Sequence, residues 1–174
     1  LLKRRGGEVH GLHLRIPALG APAEGNVRRV RAIAEKLEIP LFLWDFRDSF
    51  KRLVVGPFLR GYQAGRTPNP CVVCNPPVKF PALMAVAEEK GILHVATGHY
   101  ARVEGGHGGP LADLWRGTDR EKDQSYFLHR LDQETLQRTL FPLGDKSKRT
   151  VLRMAEEMGI SGLIAAESQE ICFL

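Results

Sequence analysis

The chain has 174 residues, of which 43% are hydrophobic and 26% charged, with a formal net charge of +5. Such a length suffices for a proper hydrophobic core, and the balance is that of an ordinary globular protein, which excludes a collagen-like or low-complexity chain. No run of eighteen apolar residues occurs, so no membrane span or membrane partner is expected, and three cysteines, an odd number, argue for a reducing, cytoplasmic setting rather than a secreted disulfide scaffold.

In chain order, Leu1-Leu-Lys-Arg-Arg5 reads as the end of a helix entered midway and stopped by Gly6-Gly7. Charge stands where the apolar part of a signal peptide would begin, and no initiator Met is present, so the opening reads as that of a fragment. Residues 8–15 suit a strand that ends before Pro17, and residues 17–25 carry little signal. Val27, Val30, Ile33, Ala34 and Leu37 recur at helical spacing, with Asn26 as the N-cap. Residues 40–46 form a nearly continuous apolar run, as in a strand buried on both faces. Residues 47–64 read as a helix that Gly56-Pro57 breaks. Along this stretch Arg47, Lys51, Arg52, Arg60 and Arg66 face only Asp48, a basic patch that suits phosphate backbones or is simply a solvated helix face.

Four prolines across residues 66–77 predict irregular structure. A helix follows over residues 82–90, opened by Pro81 and closed by Gly91. Residues 92–97 form another buried strand, leading into Gly98-His99-Tyr100. This alternation predicts an α/β fold with a doubly wound parallel sheet and ligands at the carboxyl ends of its strands. Residues 100–104 and 114–116 flank a glycine-rich stretch as a hairpin, and residues 125–140 and 148–158 are helical, the second stopped by Gly159. The expected division is an α/β domain over 1–103 and a hairpin and helical subdomain over 104–174.

The chemistry concentrates in sulfur. Cys71 and Cys74 lie in Gly65-Arg-Thr-Pro-Asn-Pro-Cys-Val-Val-Cys-Asn75, and Cys172 lies in Ser168-Gln-Glu-Ile-Cys-Phe-Leu174. All three stand in polar or proline-broken segments rather than in an apolar core pattern, as a nucleophile, a redox pair or a metal ligand requires. A lone C-x-x-C has three common meanings: half a zinc site, a thioredoxin-like pair, or part of an iron–sulfur site. Zinc would want a second such pair or an H-x-x-x-H, and neither occurs. A thioredoxin motif opens a helix directly after a strand, whereas this one is hemmed by Pro68, Pro70, Pro76 and Pro77. What remains is a pair of thiols joined in space by Cys172.

That cysteine segment with Val78-Lys-Phe80, then Ala96-Thr-Gly-His-Tyr100, Lys122-Asp-Gln-Ser-Tyr-Phe-Leu128, Phe141-Pro-Leu-Gly144 and Ser168-Gln-Glu-Ile-Cys-Phe173, resembles the tRNA-specific 2-thiouridylases in order and separation over nearly the whole chain. The resemblance implies an ATP-pyrophosphatase fold in which ATP, with Mg, adenylates the C2 oxygen of the wobble uridine and sulfur then displaces AMP. It implies Cys172 as the persulfide carrier and Cys74 as the thiol that forms a disulfide with it as sulfur is released. Asn69, Pro70 and Cys71 fall where the family meets the target base, while Lys122, Asp123, Gln124 and His99 fall on tRNA contacts. Leu14 and Gly98 fall on positions that line the ATP site. The implied partners are tRNA and a persulfide or sulfide donor protein. The same resemblance makes residues 1–103 the nucleotide-binding part and residues 104–174 the tRNA-binding part.

Uracil C2 is a poor electrophile until its oxygen becomes a leaving group, which is why activation precedes sulfur attack. A uridine in a stacked anticodon must also be extruded, which calls for contacts to its neighbours. The family's phosphate loop, a Ser-Gly-Gly-x-Asp-Ser signature, does not occur here and would precede Leu1. Its C-terminal β-barrel would follow Leu174. This fragment alone is therefore expected not to hydrolyse ATP and to be inactive.

Many members carry Asp where Cys71 stands. With Cys71, Cys74 and Cys172 as ligands, a 4Fe-4S cluster with one open iron could bind sulfide instead of a persulfide route. Rival readings are a non-catalytic RNA- or metal-binding module on the same scaffold, and an amide-forming ligase of the ATP-pyrophosphatase group. Taken alone, His99 could cap a sheet edge by a hydrogen bond, and residues 122–124 could be an exposed turn. Asp119 and Glu121 among Arg116, Arg120 and Lys122 read as a solvated ion-pair cluster. Trp44, Phe46 and Trp115 read as packing residues, and His10, His13, His94, His107 and His129 lack ligand spacing.

Overall fold

The computed structural model describes residues 1–17, 23–105, 111–163 and 173. The chain packs as two compact units, Leu1–Pro70 with Ala155–Leu174, and Cys71–Met154.

In the first unit, strand β1 (Gly11–Arg15) pairs in parallel with β2 (Leu41–Asp45), placing Leu14 opposite Trp44. The helix α1 (Ala23–Leu37) makes the crossover. Two parallel strands need such a connection, and the apolar spacing from Val27 to Leu37 supplies the face that packs back. The helix begins before Asn26, so Asn26 is no N-cap; its Oδ1 accepts from Arg29 Nη2 at 2.7 Å. β2 is half-buried rather than covered on both faces, because among the described residues it pairs with β1 alone and leaves Leu43 exposed.

Gly56-Pro57 does not break the next helix. It runs as α2 (Arg47–Phe50), a π segment (Lys51–Val55) and α3 (Gly56–Gln63), with the Gly56 N–H donating to Lys51 five residues back. The wider π turn takes up the hydrogen bond that Pro57 cannot make, and Pro57 then sits in the first turn of α3, where no donor is needed. Phe50, Val54 and Phe58 from this helix are buried, and Phe173 packs edge-on to Phe50 and Phe58 at ring separations of 5.5 and 5.4 Å. Of the expected basic patch, Arg47 is neutralised: its Nη2 lies 2.6 Å from Asp45, whose carboxyl that hydrogen-bonded guanidinium holds at about 2. Lys51, Arg52, Arg60 and Arg66 are exposed.

The proline-rich segment is likewise regular from Pro70 onward, against expectation. A helix of 20 residues spans Pro70–Glu89, made of α4 (Pro70–Cys74), a π segment (Asn75–Lys79) and α5 (Phe80–Glu89). Pro70 opens it, Pro76 and Pro77 fall in the π segment, and Pro81 falls in the first turn of α5. Each proline thus occupies a place where its missing donor and fixed φ are tolerated. By length and composition this helix could cross a membrane. Val78, Phe80, Ala82 and Ala87 are instead buried, as in the core helix of a globular unit.

Helix α5 belongs to the second unit, whose core gathers Phe80, Ala101, Ala112, Leu128, Leu131 and Leu136. The hairpin is present as β4 (Ala101–Gly105) against β5 (Ala112–Arg116). The expected strand over 92–97 shortens to β3 (Val95–Ala96), and the expected helix over 125–140 resolves into a 3-10 turn (Ser125–Leu128), α6 (Gln133–Arg138) and a strand β6 (Thr139–Leu140) parallel to β3. Helix α7 (Lys148–Glu157) ends at Gly159, which adopts the left-handed conformation that a glycine stop provides. Asp119, expected in a solvated ion-pair cluster, has a helix-capping role: its carboxylate accepts from the Lys148 N–H at 2.8 Å at the start of α7.

The observed architecture is α/β, but in place of one doubly wound sheet the described strands form three two-stranded sheets, β1–β2 and β3–β6 parallel and β4–β5 antiparallel, with α1 as the helical crossover of the first. The glycine-rich stretch at 106–110, including His107, and the segment 164–172 lie outside the described residues.

Candidate functional site

Cys71 and Cys74 lie one turn apart at the start of the helix Pro70–Glu89, both as thiols. Their settings differ. Cys71 is exposed, whereas Cys74 is 7% exposed and part of the core, so the expectation that no cysteine is a core residue is corrected for Cys74. The reason is the helix itself: winding residues 70–79 turns every third or fourth side chain inward, which a loop would not have done. Pro70 is buried as the first helical residue and Asn69 before it is exposed.

Asn75, next to Cys74, is 1% exposed. Its Nδ2 donates to the Cys71 carbonyl at 3.1 Å and to the Phe127 carbonyl at 2.9 Å. The cysteine turn is thereby tied to the Ser125–Leu128 turn, directly after Lys122, Asp123 and Gln124. One turn further along the helix, Phe80 stacks on His99 with centroids 6.3 Å apart and planes 19° apart, and Phe141 meets the same imidazole edge-on at 6.1 Å. His99 Nδ1 lies 2.7 Å from Thr97 Oγ1. Burial, and secondarily the Lys79 charge, pull its pKa down to about 4, so the ring is neutral at pH 7.

Residues 123 and 124 are built into the unit rather than presented as a bare turn. Asp123 Oδ1 accepts from the Gly117 N–H at 2.8 Å and the Ser125 N–H at 3.3 Å, and Oδ2 accepts from the Ser125 hydroxyl at 2.9 Å. Burial alone would raise this carboxyl; those donors, with Arg116 nearby, hold it below its usual value. Gln124 holds the Tyr100 main chain at both its polar groups: Tyr100 N–H donates to the side-chain Oε1 of Gln124 at 3.0 Å, and Gln124 N–H donates to Tyr100 O at 2.9 Å. Lys122 is half-buried beside them. The cysteine turn, His99 and the 122–124 segment are thus brought together within one unit by Asn75, Phe80 and Gln124.

Gly98 is exposed in the turn after β3, and a Cβ there would meet only Leu143 Cδ1 at 3.6 Å, an ordinary contact. Gly144 is different, because a Cβ on it would overlap the Ala101 carbonyl oxygen. In Phe141-Pro-Leu-Gly144 the glycine therefore lets the chain approach β4, while Phe141 supports His99. Leu14 belongs to the first unit, at the carboxyl end of β1. Cys172 lies outside the described residues, although Phe173 beside it in sequence is anchored among Phe50 and Phe58. Among the described residues no group of three or more Cys, His, Asp or Glu side chains is assembled as for a metal ion. Asn75 and Phe80 were not singled out from the sequence. Both lie in the motifs that carry the resemblance, and a polar residue directly ahead of Pro76-Pro77 was a further sign for the first, but neither was given a role there.

A family model described as the tRNA methyl transferase HUP domain matches residues 1–174. The chain belongs to that family. Among similar curated proteins, the tRNA-specific 2-thiouridylase MnmA of Sorangium cellulosum is 51% identical over 83% of this chain and 37% of its own length. Those of Geobacter metallireducens and Syntrophotalea carbinolica are each 44% identical over all of this chain and 50% of their own length. The HUP-domain chain therefore spans half or less of these relatives.

Proposed function

We propose that the protein of which this chain forms part is a tRNA-uridine 2-sulfurtransferase, acting on the wobble uridine with ATP as the activating cosubstrate. The observation that carries this reading is a chain similar from end to end to proteins named tRNA-specific 2-thiouridylases, bearing paired thiols on a helix turn tied to the 125–128 segment. The family description speaks of methyl transfer, but the relatives are named for thiolation, and thiols suit sulfur chemistry.

In the proposed reaction the uridine C2 oxygen attacks the α-phosphorus of ATP and pyrophosphate leaves. Sulfur from a persulfide on Cys172 then attacks C2, and AMP departs with the oxygen. Cys74 closes a disulfide with Cys172 as the sulfur is released, and an external thiol reduces that disulfide between turnovers. A persulfide or sulfide donor protein reloads Cys172. Residues 1–103 are the nucleotide-binding part and residues 104–174 the tRNA-binding part. Leu14 would cover the adenine ring and the Gly98 backbone would admit the nucleotide at a strand end, both being positions that ligands of parallel sheets use. Asn69, Pro70 and Cys71 meet the target base. His99 and residues 122–124 meet the tRNA, His99 as a neutral hydrogen-bonding ring and Lys122 as the charged contact.

The test is to incubate the complete protein with tRNA, ATP, Mg and a sulfide or persulfide source, and to measure 2-thiouridine in digested tRNA by mass spectrometry. Wild type is expected to form it and Cys172→Ser to form none. A Cys172→Ser protein with full activity would overturn the assigned role of Cys172. Methylated rather than thiolated uridine would overturn the reaction.

A further inference from the structure

Asn75 combines three properties that packing alone does not call for. It is almost wholly buried, both hydrogens of its amide are spent on main-chain carbonyls from different segments, and its Oδ1 is buried without a hydrogen-bond partner. Its own carbonyl accepts the Phe80 N–H five residues on, across the π segment. An apolar side chain of the same volume would spare the cost of the unpartnered Oδ1 but would also take away both donors, so it is the donors that the amide supplies and an apolar residue cannot. What it provides is a double donor joining the Cys71 carbonyl to the Phe127 carbonyl. Backbone cannot do this here, because the next two residues, Pro76 and Pro77, carry no N–H.

We propose that Asn75 is a positioning residue for sulfur transfer: it clamps the turn that bears Cys71 and Cys74 to the turn that follows residues 122–124, without touching the substrate. The inference rests on the function proposed above. A side chain that fixes the direction of a reacting turn through its main chain contributes to turnover rather than to substrate affinity, since misplacement of a reacting group by about 1 Å is enough to slow a step about 100-fold.

The experiment compares thiolation by the complete protein in wild type, Asn75→Ala, Asn75→Asp and Asn75→Gln, with kcat and the KM for tRNA determined between pH 5.5 and 8.5. Unfolding midpoints are recorded for each variant. Asn75→Ala is expected to fold and to lose at least tenfold in kcat, with KM for tRNA within twofold of wild type at every pH. In Asn75→Asp the ionised carboxylate can only accept and faces two carbonyl oxygens, whereas the protonated acid donates one hydrogen bond. Its kcat relative to wild type is therefore expected to rise as pH falls, while the Asn75→Ala ratio stays flat. Asn75→Gln keeps the donors on a longer arm, so it is expected to fold with reduced kcat and unchanged KM.

Wild-type kcat in folded Asn75→Ala, or a loss carried by KM alone, would overturn the inference. Failure of all three variants to fold would do the same by assigning Asn75 to the core alone. Inactive wild type would overturn the proposed function and this inference with it, whereas active wild type with indifferent variants would overturn only the inference.

Discussion

Cys71 and Cys74 are three residues apart, and the helix gives them opposite accessibility. Iodoacetamide is therefore expected to label Cys71 at least tenfold faster than Cys74 in the native protein, with the two rates converging in denaturant. Peptide mass spectrometry reads both. Equal native rates would show that the first turn of the helix opens freely. His99 offers a second residue-scale test. Its pKa falls from 6.5 to about 4 on folding, so the unfolded chain takes up the proton first as pH drops. Stability from this group is complete above about pH 6.5 and is lost as pH falls toward 4, by on the order of 3 kcal/mol at 1.36 kcal/mol per unit. Chemical denaturation at pH 7 and pH 4.5 should show this loss in wild type and much less of it in His99→Gln, once the baseline effect of the substitution is subtracted.

At the scale of elements, the glycines Gly98 and Gly144 make opposite predictions from one geometric measure. Gly144→Ala drives a methyl group into the Ala101 carbonyl and is expected to cost more than about 2 kcal/mol of stability, as overpacking against a backbone atom does. Gly98→Ala has room and is expected to stay within about 0.5 kcal/mol of wild type. Should Gly98 line the nucleotide site as proposed, the same substitution would raise the KM for ATP. Thermal melts and ATP titration of the complete protein separate the two effects. The helices α1 and α7 and the β4–β5 hairpin were legible because each carries its own period and its own stop, as with Gly159 after α7. The run from Pro70 to Lys79 was not. Proline reads as a breaker by default, and only the π register, which no spacing rule announces, lets Pro76 and Pro77 remain helical. The two-residue β6 was hidden for another reason: so short a strand is decided by its partner Val95–Ala96 rather than by its own pattern.

At the scale of the molecule, the family was readable from five short motifs, while the arrangement that supports them was not. Asn75 and Phe80 act through long-range contacts to Phe127 and His99, and a single residue with no period leaves little trace in a sequence. The persulfide and iron–sulfur routes separate at this scale too. The persulfide reading expects the complete protein, purified and assayed anaerobically, to thiolate tRNA without stoichiometric iron or acid-labile sulfide, and Cys71→Ala to go on turning over, the lost base contact showing at most in a raised KM for tRNA. A cluster would make activity follow iron content and vanish in Cys71→Ala. Phosphate contacts by Lys122 and the exposed cations of the first unit would further make tRNA affinity fall linearly with the logarithm of salt concentration, a slope that Lys122→Ala should reduce by about one.

With its side chain almost wholly covered in the first turn of the helix, Cys74 reacts with an outside reagent only as the covering atoms part, so the timing of any chemistry at that sulfur is set by a local motion rather than by the thiol itself.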